Sequence, residues 1–343
     1  MRLAIAGVGN NASALAQGIA FYGSPQGQHL PGVTRPWLCG IHVTDVEIVA
    51  AFETDARKTG RPFTEAIFAG TNNYPVLPTG VTGPDPVVLE GITDPDHEAQ
   101  IDRVADQLRD ARADVLLYSL PTGLPQTALA YAHAAIRAGV HLVNCTPDPM
   151  ARDEDVMKRA TEEGVRVVGD DLQSHLGSSV VHGALLELVQ DRGLTLSGSY
   201  QVNFGGNTDF QNLVTNGSAK EHSKHNALRQ RVADTGKVTV IPSGGFVPYL
   251  EDRKVAHISI EGRGWADTPV KLDVALGVQD SSNAAGVIID LVRIAAAHTG
   301  GGEGGFPLLA APLLKSAPIE GDVRHSMELA RSLLEQASAQ RNG

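Results

Sequence analysis

The sequence predicts an α/β protein in which a doubly wound parallel sheet carries an inserted second α+β domain of mixed sheet. Apolar strand-like runs alternate with helical segments over residues 1–195, and this alternation is typical of parallel βαβ units. Strands with intermittent alternation follow over 196–292, which predicts the second, mixed-sheet domain. Residues 293–343 are expected to return to the first domain.

The chain opens with a strand, a glycine-rich turn and a helix in immediate succession. Residues 2–6 are a short apolar run, and the sequence GVGNNA at 7–12 fits the G-x-G-x-x-G/A pattern of dinucleotide-binding turns. Gly7 permits the tight turn, Gly9 lets the backbone approach a pyrophosphate, and Ala12 is small enough for the helix to pack closely on the strand. These residues predict a Rossmann-type nucleotide site, and a tight turn without a ligand is the alternative.

The second predicted strand ends in acidic residues that are candidates for contacts with a ribose. The apolar segment 46–52 is followed by Glu53, and Asp55 lies just beyond. A carboxylate at this place accepts hydrogen bonds from the adenosine ribose hydroxyls and repels a 2′-phosphate, so it favours NAD. A solvated strand end is the alternative, because the Gly- and Pro-rich segment 23–45 makes the distance in sequence longer than usual.

Further strands of the first domain are predicted to end in polar residues. The strands are 113–120, 140–145 and 165–171. A helix at 97–112 precedes the first of them, and a helix at 125–138 lies between the first and the second. Ligands of doubly wound sheets bind at the carboxyl ends of the strands, so the polar residues there are candidate cofactor contacts. These residues are Thr122, Asn144, Asp170 and Asp171.

Composition and charge exclude several classes of function. Lys+Arg 28 against Asp+Glu 39 gives a net charge of −11, which provides no electrostatic footprint for a nucleic acid or an anionic membrane. A phosphorylated substrate would therefore need a local cluster of cations. Only Cys39 and Cys145 occur, no apolar segment has the length of a membrane span, and a strand starts at once, so we expect a soluble cytoplasmic protein.

Four short motifs in the second half are hard to explain by packing alone. The segment 203–210 combines a Gly-Gly bend with consecutive polar residues, and Lys220 and Lys224 lie on one predicted helical face, where like charges repel. Lys254 precedes a strand, and Lys315 follows an apolar run. Each lysine alone is more often a solvated side chain than a ligand, but together they indicate an anionic ligand.

Together with the opening turn, these segments resemble the myo-inositol phosphate synthase family over about residues 1–320. The order and spacing of eight motifs carry the resemblance: GVGNNAS at 7–13, VGDD at 168–171, GGNTDF at 205–210, SK at 223–224, DRK at 252–254, IEGR at 260–263, DSSNAAG at 280–286 and LKS at 314–316. The resemblance implies resident NAD, a hexose phosphate substrate and a homotetramer. It leaves the need for a metal ion open.

The resemblance also implies roles for individual residues. Catalytic and supporting roles would fall to lysines and carboxylates, namely Lys220, Lys224, Lys254, Lys315, Asp171, Asp209 and Asp280. Further contacts to NAD would come from Asn10, Asn11, Ser282, Asn283 and Ala284. Contacts to the substrate would come from Gly206, Asn207, Thr208 and Ser223.

The chemistry that the resemblance implies explains why these residue types are needed. Such enzymes oxidise C5 of a hexose 6-phosphate with bound NAD, remove a C6 proton, close a carbocycle by attack of C6 on the sugar carbonyl, and return the hydride to C5. Ammonium groups stabilise the oxyanions that form next to a phosphate. Crowding of ammonium groups lowers the pKa of a lysine, so one of them could act as the general base.

The chain departs from the family's pattern in ways that favour an altered substrate. Gln173 replaces a family lysine, Gly244 replaces a family aspartate, DSPNSAG reads DSSNAAG at 280–286, and 121–125 lacks the Ser-Glu that members often carry. With fructose 6-phosphate the ring closed by C6 has five carbons, whereas glucose 6-phosphate gives an inositol phosphate. We expect the five-membered cyclitol phosphate; the alternatives are the inositol phosphate, an NAD-linked dehydrogenase that releases NADH, and a non-catalytic NAD sensor.

Overall fold

The computed structural model of the chain describes residues 1–213, 218–229, 236–297, 304–319 and 321–339. Within these ranges the strands are β1 (Arg2–Ala6), β2 (Trp37–Leu38), β3 (Ile41–His42), β4 (Glu47–Glu53), β5 (Leu89–Glu90), β6 (Val115–Tyr118), β7 (His141–Asn144), β8 (Val167–Val168), β9 (Thr195–Gly205), β10 (Val238–Phe246), β11 (Arg253–Arg263) and β12 (Pro269–Gln279). The helices are α1 (Asn10–Tyr22), α2 (Phe63–Ala66), α3 (Glu98–Asp110), α4 (Pro125–Ala138), α5 (Glu154–Glu162), α6 (Ser178–Asp191), α7 (Thr208–Leu213), α8 (Ser218–Arg229), α9 (Asp280–Ala296) and α10 (Val323–Ala339).

Six strands form a parallel sheet in the order β5-β4-β1-β6-β7-β8. Every neighbouring pair in this sheet is parallel. The chain winds outward from β1 in both directions, so the doubly wound parallel sheet predicted from the sequence is confirmed. Because parallel strands end at the same edge, the residues that follow β1, β4, β6 and β7 lie along one edge of the sheet.

Helices cover both faces of the parallel sheet. Helices α1 and α9 share one apolar cluster with Leu3 and Ile5, whereas α3, α4 and α5 share another with Ala4 and Leu116. Successive residues of a strand point to opposite faces, so β1 contributes alternately to both clusters. Ala is frequent in these helices, and its small side chain lets them lie close to the sheet.

Local signals in the sequence set the ends of two of these helices. Pro125 occupies the first position of α4, where its missing N–H removes no helical hydrogen bond, and α4 ends at Gly139, which has a left-handed φ of 69°. The side chain of Asp153 accepts a hydrogen bond from the backbone N of Val156 and caps α5. These ends agree with the helix that the sequence predicts at 125–138.

The second sheet has four strands in the order β10-β9-β11-β12. β10 is parallel to β9, and the other two pairs are antiparallel, so the sheet is mixed as predicted. Helices α6 and α8 cover one face, where Leu186 and Leu228 pack with Ile258 and Ile260. The covered face is therefore a second, smaller apolar core.

A stripe of buried polar side chains lies between α6 and β9 beside this core. The imidazole of the fully buried His182 lies 2.6 Å from Ser199 Oγ and 3.1 Å from Gln201 Oε1, and Ser178 donates a hydrogen bond to Asn203 at 2.7 Å. Burial lowers the pKa of His182 to about 4, so the ring is neutral near neutral pH. Hydrogen bonds as well as apolar packing thus fix α6 on β9.

Helix α9 connects the two sheets. It begins directly after β12, and Ile288 and Leu291 pack in the cluster that contains Leu3. The fully buried Arg293 donates hydrogen bonds to the carbonyls of residues 35, 36 and 41 and to Asp290, which anchors the segment 23–45. Residues of α9 from Ala284 onwards therefore pack in the first core, and the domain boundary at 293 stays a prediction.

One predicted strand is shorter in the structure. The strand expected at 165–171 is only Val167–Val168, because the chain then turns so that the buried Asp170 carboxylate accepts hydrogen bonds from Asn144 and from backbone N–H groups. The segment 23–45, expected to leave the sheet, contains the β2–β3 hairpin. None of the described helices is both long and apolar enough to cross a membrane.

Candidate active site

The turn between β1 and α1 has the geometry of a dinucleotide cradle. Gly7 has a φ of 100°, and a Cβ there would lie 2.5 Å from the carbonyl oxygen of Ser119, so only glycine fits. A Cβ at Gly9 would meet no atom within 4 Å, which leaves open space beside the backbone. No side chain caps the N-terminus of α1, and its first turn contains no acidic residue. The turn therefore fits an anionic pyrophosphate.

Two charged side chains hold the middle peptide groups of this turn. Glu53 Oε2 accepts a hydrogen bond from Val8 N at 3.0 Å, and the ammonium of Lys58 donates to Val8 O at 2.6 Å. The sequence predicts that Glu53 accepts hydrogen bonds from a ribose, but in the structure its carboxylate is engaged by the protein backbone. Lys58, which is 7% exposed, was not predicted, and no signal in the sequence distinguishes it from a surface lysine.

Asp55 is the more accessible of the two predicted acids. Its carboxylate accepts hydrogen bonds from the guanidinium of Arg57 at 2.6–3.0 Å, and these bonds lower the pKa of Asp55 to about 2. The carboxylate is therefore ionised and oriented at the end of β4. Asn10 and Asn11 are held in turn by Asn73 and Ser119.

A cavity of about 420 Å³ begins at this turn and runs toward the second sheet. Most of the predicted site residues line it, and they come from both halves of the chain. The predicted residues in its lining are Gly7, Gly9, Asn10, Asn11, Glu53, Asp55, Thr122, Asp171, Asn207, Thr208, Asp209, Lys254, Asp280, Ala284 and Lys315. Ala12 is buried below the turn.

Lys315 forms an ion pair with Asp171 on one side of the cavity. The ammonium lies 2.8 Å from Asp171 Oδ1, and the backbone N of Lys315 also donates to the carbonyl of Asp171 at 2.8 Å. Lys315 is 8% exposed and Asp171 is 1% exposed. Two contacts between the same residues fix the ammonium in position, which a solvated surface pair would not achieve.

Lys254 forms a second ion pair, with Asp280, where the second sheet meets α9. The distance between Nζ and Oδ1 is 3.0 Å, and the ammonium also lies 5.7 Å from the centre of the Phe210 ring. Asn207 donates a hydrogen bond to the other oxygen of Asp280 at 3.3 Å. Two ammonium groups thus enter the same cavity from different parts of the fold, although the net charge of the chain is negative.

The Gly205-Gly206 bend allows the close packing that this arrangement needs. A Cβ at Gly206 would lie 2.4 Å from the backbone N of Glu251, and a Cβ at Gly205 would overlap the ring of Phe210. Side chains at either position would push α7 away from the start of β11. The glycines therefore place Asn207, whose Oδ1 accepts from Phe210 N, and the start of α7 at the cavity.

The remaining predicted lysines are differently placed. Lys224 is 4% exposed, its ammonium donates to the carbonyl of Pro242 at 3.5 Å, and it is absent from the described lining of the 420 Å³ cavity. The side chains of Lys220 and Ser223 lie outside the described part of the structure. The proximity of Lys220 and Lys224 on one face therefore stays a prediction.

Three predicted cofactor contacts are not at the cavity. Asp170 is fully buried and binds Asn144, Arg152 and backbone N–H groups instead. Ser282 and Asn283 line a separate, largely apolar cavity of about 620 Å³, and Asn283 bonds to the backbone of Leu176. Asp280 and Ala284 are four residues apart on one face of α9, whereas Ser282 and Asn283 project from another.

Several cavity residues were not predicted. They are Arg57, Lys58, Thr71, Ser119, Leu120, Pro121, Cys145, Thr146, Leu172, Ser174, Asn212 and Ser281. Asn212 donates a hydrogen bond to the carbonyl of Thr122 at 2.9 Å, which ties α7 to the end of β6. Within the part of the chain that the structure describes, no group of three or more His, Cys, Asp or Glu side chains is arranged to hold a metal ion.

Known proteins resemble this chain in both sequence and fold. Residues 177–281 match the family described as myo-inositol-1-phosphate synthase. The inositol-3-phosphate synthase of Mycolicibacterium smegmatis is 39% identical over 339 residues, covering 93% of this chain and 93% of that protein. The crystal structure of Ari2 has 48% identity and a TM-score of 0.84, and the match covers 99% of both chains.

A more distant solved structure supports the fold alone. It is a myo-inositol-1-phosphate synthase-related protein from Thermotoga maritima, with 20% identity and a TM-score of 0.76 over 100% of this chain and 99% of that chain. The full-length similarity to the M. smegmatis synthase extends the resemblance beyond the eight motifs. The chain belongs to the myo-inositol-1-phosphate synthase family.

Proposed function

We propose that the protein is an NAD-dependent carbocyclase that converts a hexose 6-phosphate to a cyclitol phosphate without net oxidation. The observation that carries this proposal is the presence of two lysine–carboxylate pairs, Lys254–Asp280 and Lys315–Asp171, in one cavity with a dinucleotide turn. A simple hydride transfer needs fewer cations. Ring closure produces oxyanions beside a phosphate, and fixed ammonium groups stabilise that charge.

The glycine-rich turn and its neighbours would hold the cofactor. The open space at Gly9 and the uncapped N-terminus of α1 suit the pyrophosphate, and the ionised Asp55 suits the ribose hydroxyls. Glu53 and Lys58 fix the Val8 peptide and so preserve the shape of the turn. Bound NAD supplies the capacity to accept a hydride from C5 and to return it.

The residues at the other end of the cavity would bind and activate the sugar. Lys254 and Lys315 are positioned to neutralise the oxygens that gain negative charge when a C6 proton is lost and when C6 attacks the carbonyl. Asp280 and Asp171 orient these ammonium groups. The C6 proton would pass to a lysine that is uncharged at that step and so distinct from these two ammonium groups, and the new C–C bond would form with both carbons held in the cavity.

The departures from the family favour fructose 6-phosphate, which gives a five-membered ring. At Gly244 a Cβ would lie 2.6 Å from Val202 Cγ2 and 2.9 Å from Phe204 Cε1, so the family's aspartate has no room in this conformation. Lys224 contacts the carbonyl of Pro242 in the same segment. The loss of a carboxylate two residues from the carbonyl that a predicted catalytic lysine contacts supports a changed substrate.

The product of the reaction tests the proposed function directly. We expect incubation with NAD and fructose 6-phosphate to yield, after dephosphorylation, a five-membered cyclitol identified by ¹³C NMR and mass. No reduced nicotinamide should accumulate, because the hydride returns to the substrate. An inositol from glucose 6-phosphate alone would overturn the ring size, and one NADH per substrate consumed would identify a dehydrogenase instead.

Replacement of Lys254 tests the electrostatic role of the cluster. We expect Lys254→Ala to lower kcat by about 100-fold or more, because the variant lacks a fixed charge at the developing oxyanion. The affinity for NAD, measured by calorimetry, should change less than twofold. Lys271→Ala removes an exposed ammonium of the same sheet and is the matched control. Unchanged turnover in Lys254→Ala would refute the proposed role.

The cofactor end can be tested separately at Gly9. A Cβ there meets no protein atom, so Gly9→Ala should leave the Tm of the free protein nearly unchanged. The same methyl group occupies space needed by the pyrophosphate, so we expect NAD affinity to fall at least about tenfold. Gly18→Ala, within α1, is the control, because a Cβ at Gly18 also meets no atom within 4 Å. Equal NAD affinity in both variants would contradict the assignment of the turn.

We also infer that copies of the chain associate into a homotetramer through the uncovered face of the second sheet. Tyr200, Ile241 and Val255 are 42%, 41% and 37% exposed there, and Val202 and Phe204 of β9, which pair with Ile241 and Val255, extend the apolar face. Analytical ultracentrifugation should give the mass of four copies, and Tyr200→Glu should reduce it. Leu188→Glu, at an exposed position of α6, which covers the opposite face of the sheet, should not. A monomer at micromolar concentration would contradict the inference.

A further inference from the structure

A buried carboxylate lies directly behind the Lys254–Asp280 pair. Asp252 is 1% exposed and precedes β11. It is not part of the described lining of the 420 Å³ cavity, whereas Lys254, Asp280 and Ser281 all are. Asp252 therefore lies one layer away from the space that the sugar would occupy.

Asp252 replaces the missing side-chain cap of α9. The N-cap residue Gln279 makes no side-chain hydrogen bond to the helix. Instead, one oxygen of Asp252 accepts from the backbone N of Ser281 at 3.1 Å, and the other accepts from its hydroxyl. The carbonyl of Asp252 accepts from the backbone N of Asp280 at 2.9 Å. Three hydrogen bonds thus hold the first turn of α9 against the start of β11.

The same contacts determine where the Lys254 ammonium lies. Asp252 and Lys254 are two residues apart at the start of β11, and both contact the first turn of α9. Because Asp280 is the residue that pairs with Lys254, any shift of this turn moves the carboxylate that orients the ammonium. Asn207 links the two acids, since it donates to Asp280 and also bonds to Asp252.

We propose that Asp252 is a positioning residue of the active site, whose ionised carboxylate fixes the first turn of α9 and thereby holds Asp280 and Lys254 in their reactive arrangement. The inference rests on the proposed function for its kinetic readout. Protonation of Asp252 would remove one of the two acceptors that Ser281 uses. The arrangement therefore depends on the charge state of a residue that does not touch the substrate.

The surroundings of Asp252 make its charge sensitive to pH. Burial, and then the nearby charge of Asp280, raise the pKa of Asp252 to about 6, although the hydrogen bonds from Ser281 oppose this shift. The charged and titratable groups around it are Asp280 on α9, Lys254 on β11 and Tyr74 in the loop between α2 and β5. The pKa of Tyr74 is itself raised by burial and by the charge of Asp252. The carboxylate is ionised above about pH 6 and protonated below it.

The pH profile of Asp252→Asn tests this proposal. We expect wild-type kcat to fall below about pH 6 as Asp252 takes up a proton, and Asp252→Asn to lower kcat by about 10–100-fold at pH 7.5 and to lose that acidic limb. NAD affinity should stay within twofold of wild type. Asp267→Asn, at an exposed position of the same domain, is the control. A variant with wild-type kcat and an unchanged acidic limb would overturn the proposal.

A thermal measurement separates this inference from the proposed function. A folded-state pKa above the unfolded value means that the native state binds more protons between about pH 4 and 6, so wild type loses stability as pH rises through that window. The Tm of Asp252→Asn relative to wild type should therefore rise from pH 4 to pH 6, whether or not any cyclitol forms. A pH-independent Tm difference would show that Asp252 does not titrate there and would also overturn the proposal.

Ser281→Ala provides a second variant if Asp252→Asn does not fold. It removes only the hydroxyl donor and leaves the backbone hydrogen bond to Asp252. We expect Ser281→Ala alone to lower kcat by about 3–10-fold, and an unchanged kcat would overturn the proposal. If Asp252→Asn folds, the double variant should show a decrease smaller than the product of the two single effects. Independent, multiplicative effects would show that the two residues do not act through one contact.

Discussion

The constraint on which the structure depends is that charged groups must be held, almost without water, where two sheets meet. Removing an ammonium and a carboxylate from water costs several kcal/mol per ion, and the cost is recovered only when geometry and additional hydrogen bonds are good. Lys315 and Asp171 satisfy this with a side-chain and a backbone contact. Lys254 and Asp280 satisfy it with the help of Asn207 and the Phe210 ring. This packing requires glycine at 205 and 206, because a Cβ at either position would overlap neighbouring atoms.

The cavity is built differently at its two ends. At the turn after β1, backbone geometry and a helix terminus provide the recognition, and Glu53 and Lys58 serve the backbone rather than a ligand. At the junction with the second sheet, side chains provide it. Substitutions of residues at the second end can therefore alter that end without disturbing the first.

Much of the fold followed from local patterns, and the limits of prediction are equally physical. The apolar run, the glycine turn and the small residue at 12 are all read within one short segment, so β1, the turn and α1 were predictable. Ser282 and Asn283 line a different cavity from Asp280 and Ala284, because the face on which a helical residue lies is decided by where α9 begins and what it packs on. Asp170 lies away from the cavity because the chain turns inward after β8, so that its carboxylate accepts a hydrogen bond from Asn144. Asp252 belongs to the DRK motif at 252–254, but its burial was not predictable, since a buried acid and a surface acid look alike in sequence.

Helix α9 has a mechanical consequence for the whole protein. Its first turn carries Asp280 and Ser281, its middle packs on the parallel sheet, and its last turns contain Arg293. The Arg293 guanidinium donates to three carbonyl groups of the 23–45 segment, to the carbonyl of Ile289 and to Asp290. Unwinding the first turn of α9 would break the hydrogen bonds from Ser281 to Asp252, and unwinding its last turns would leave the buried charge of Arg293 without its partners. Helix α9 is thus fixed at both ends, by Asp252 at its first turn and by the 23–45 segment at its last turns.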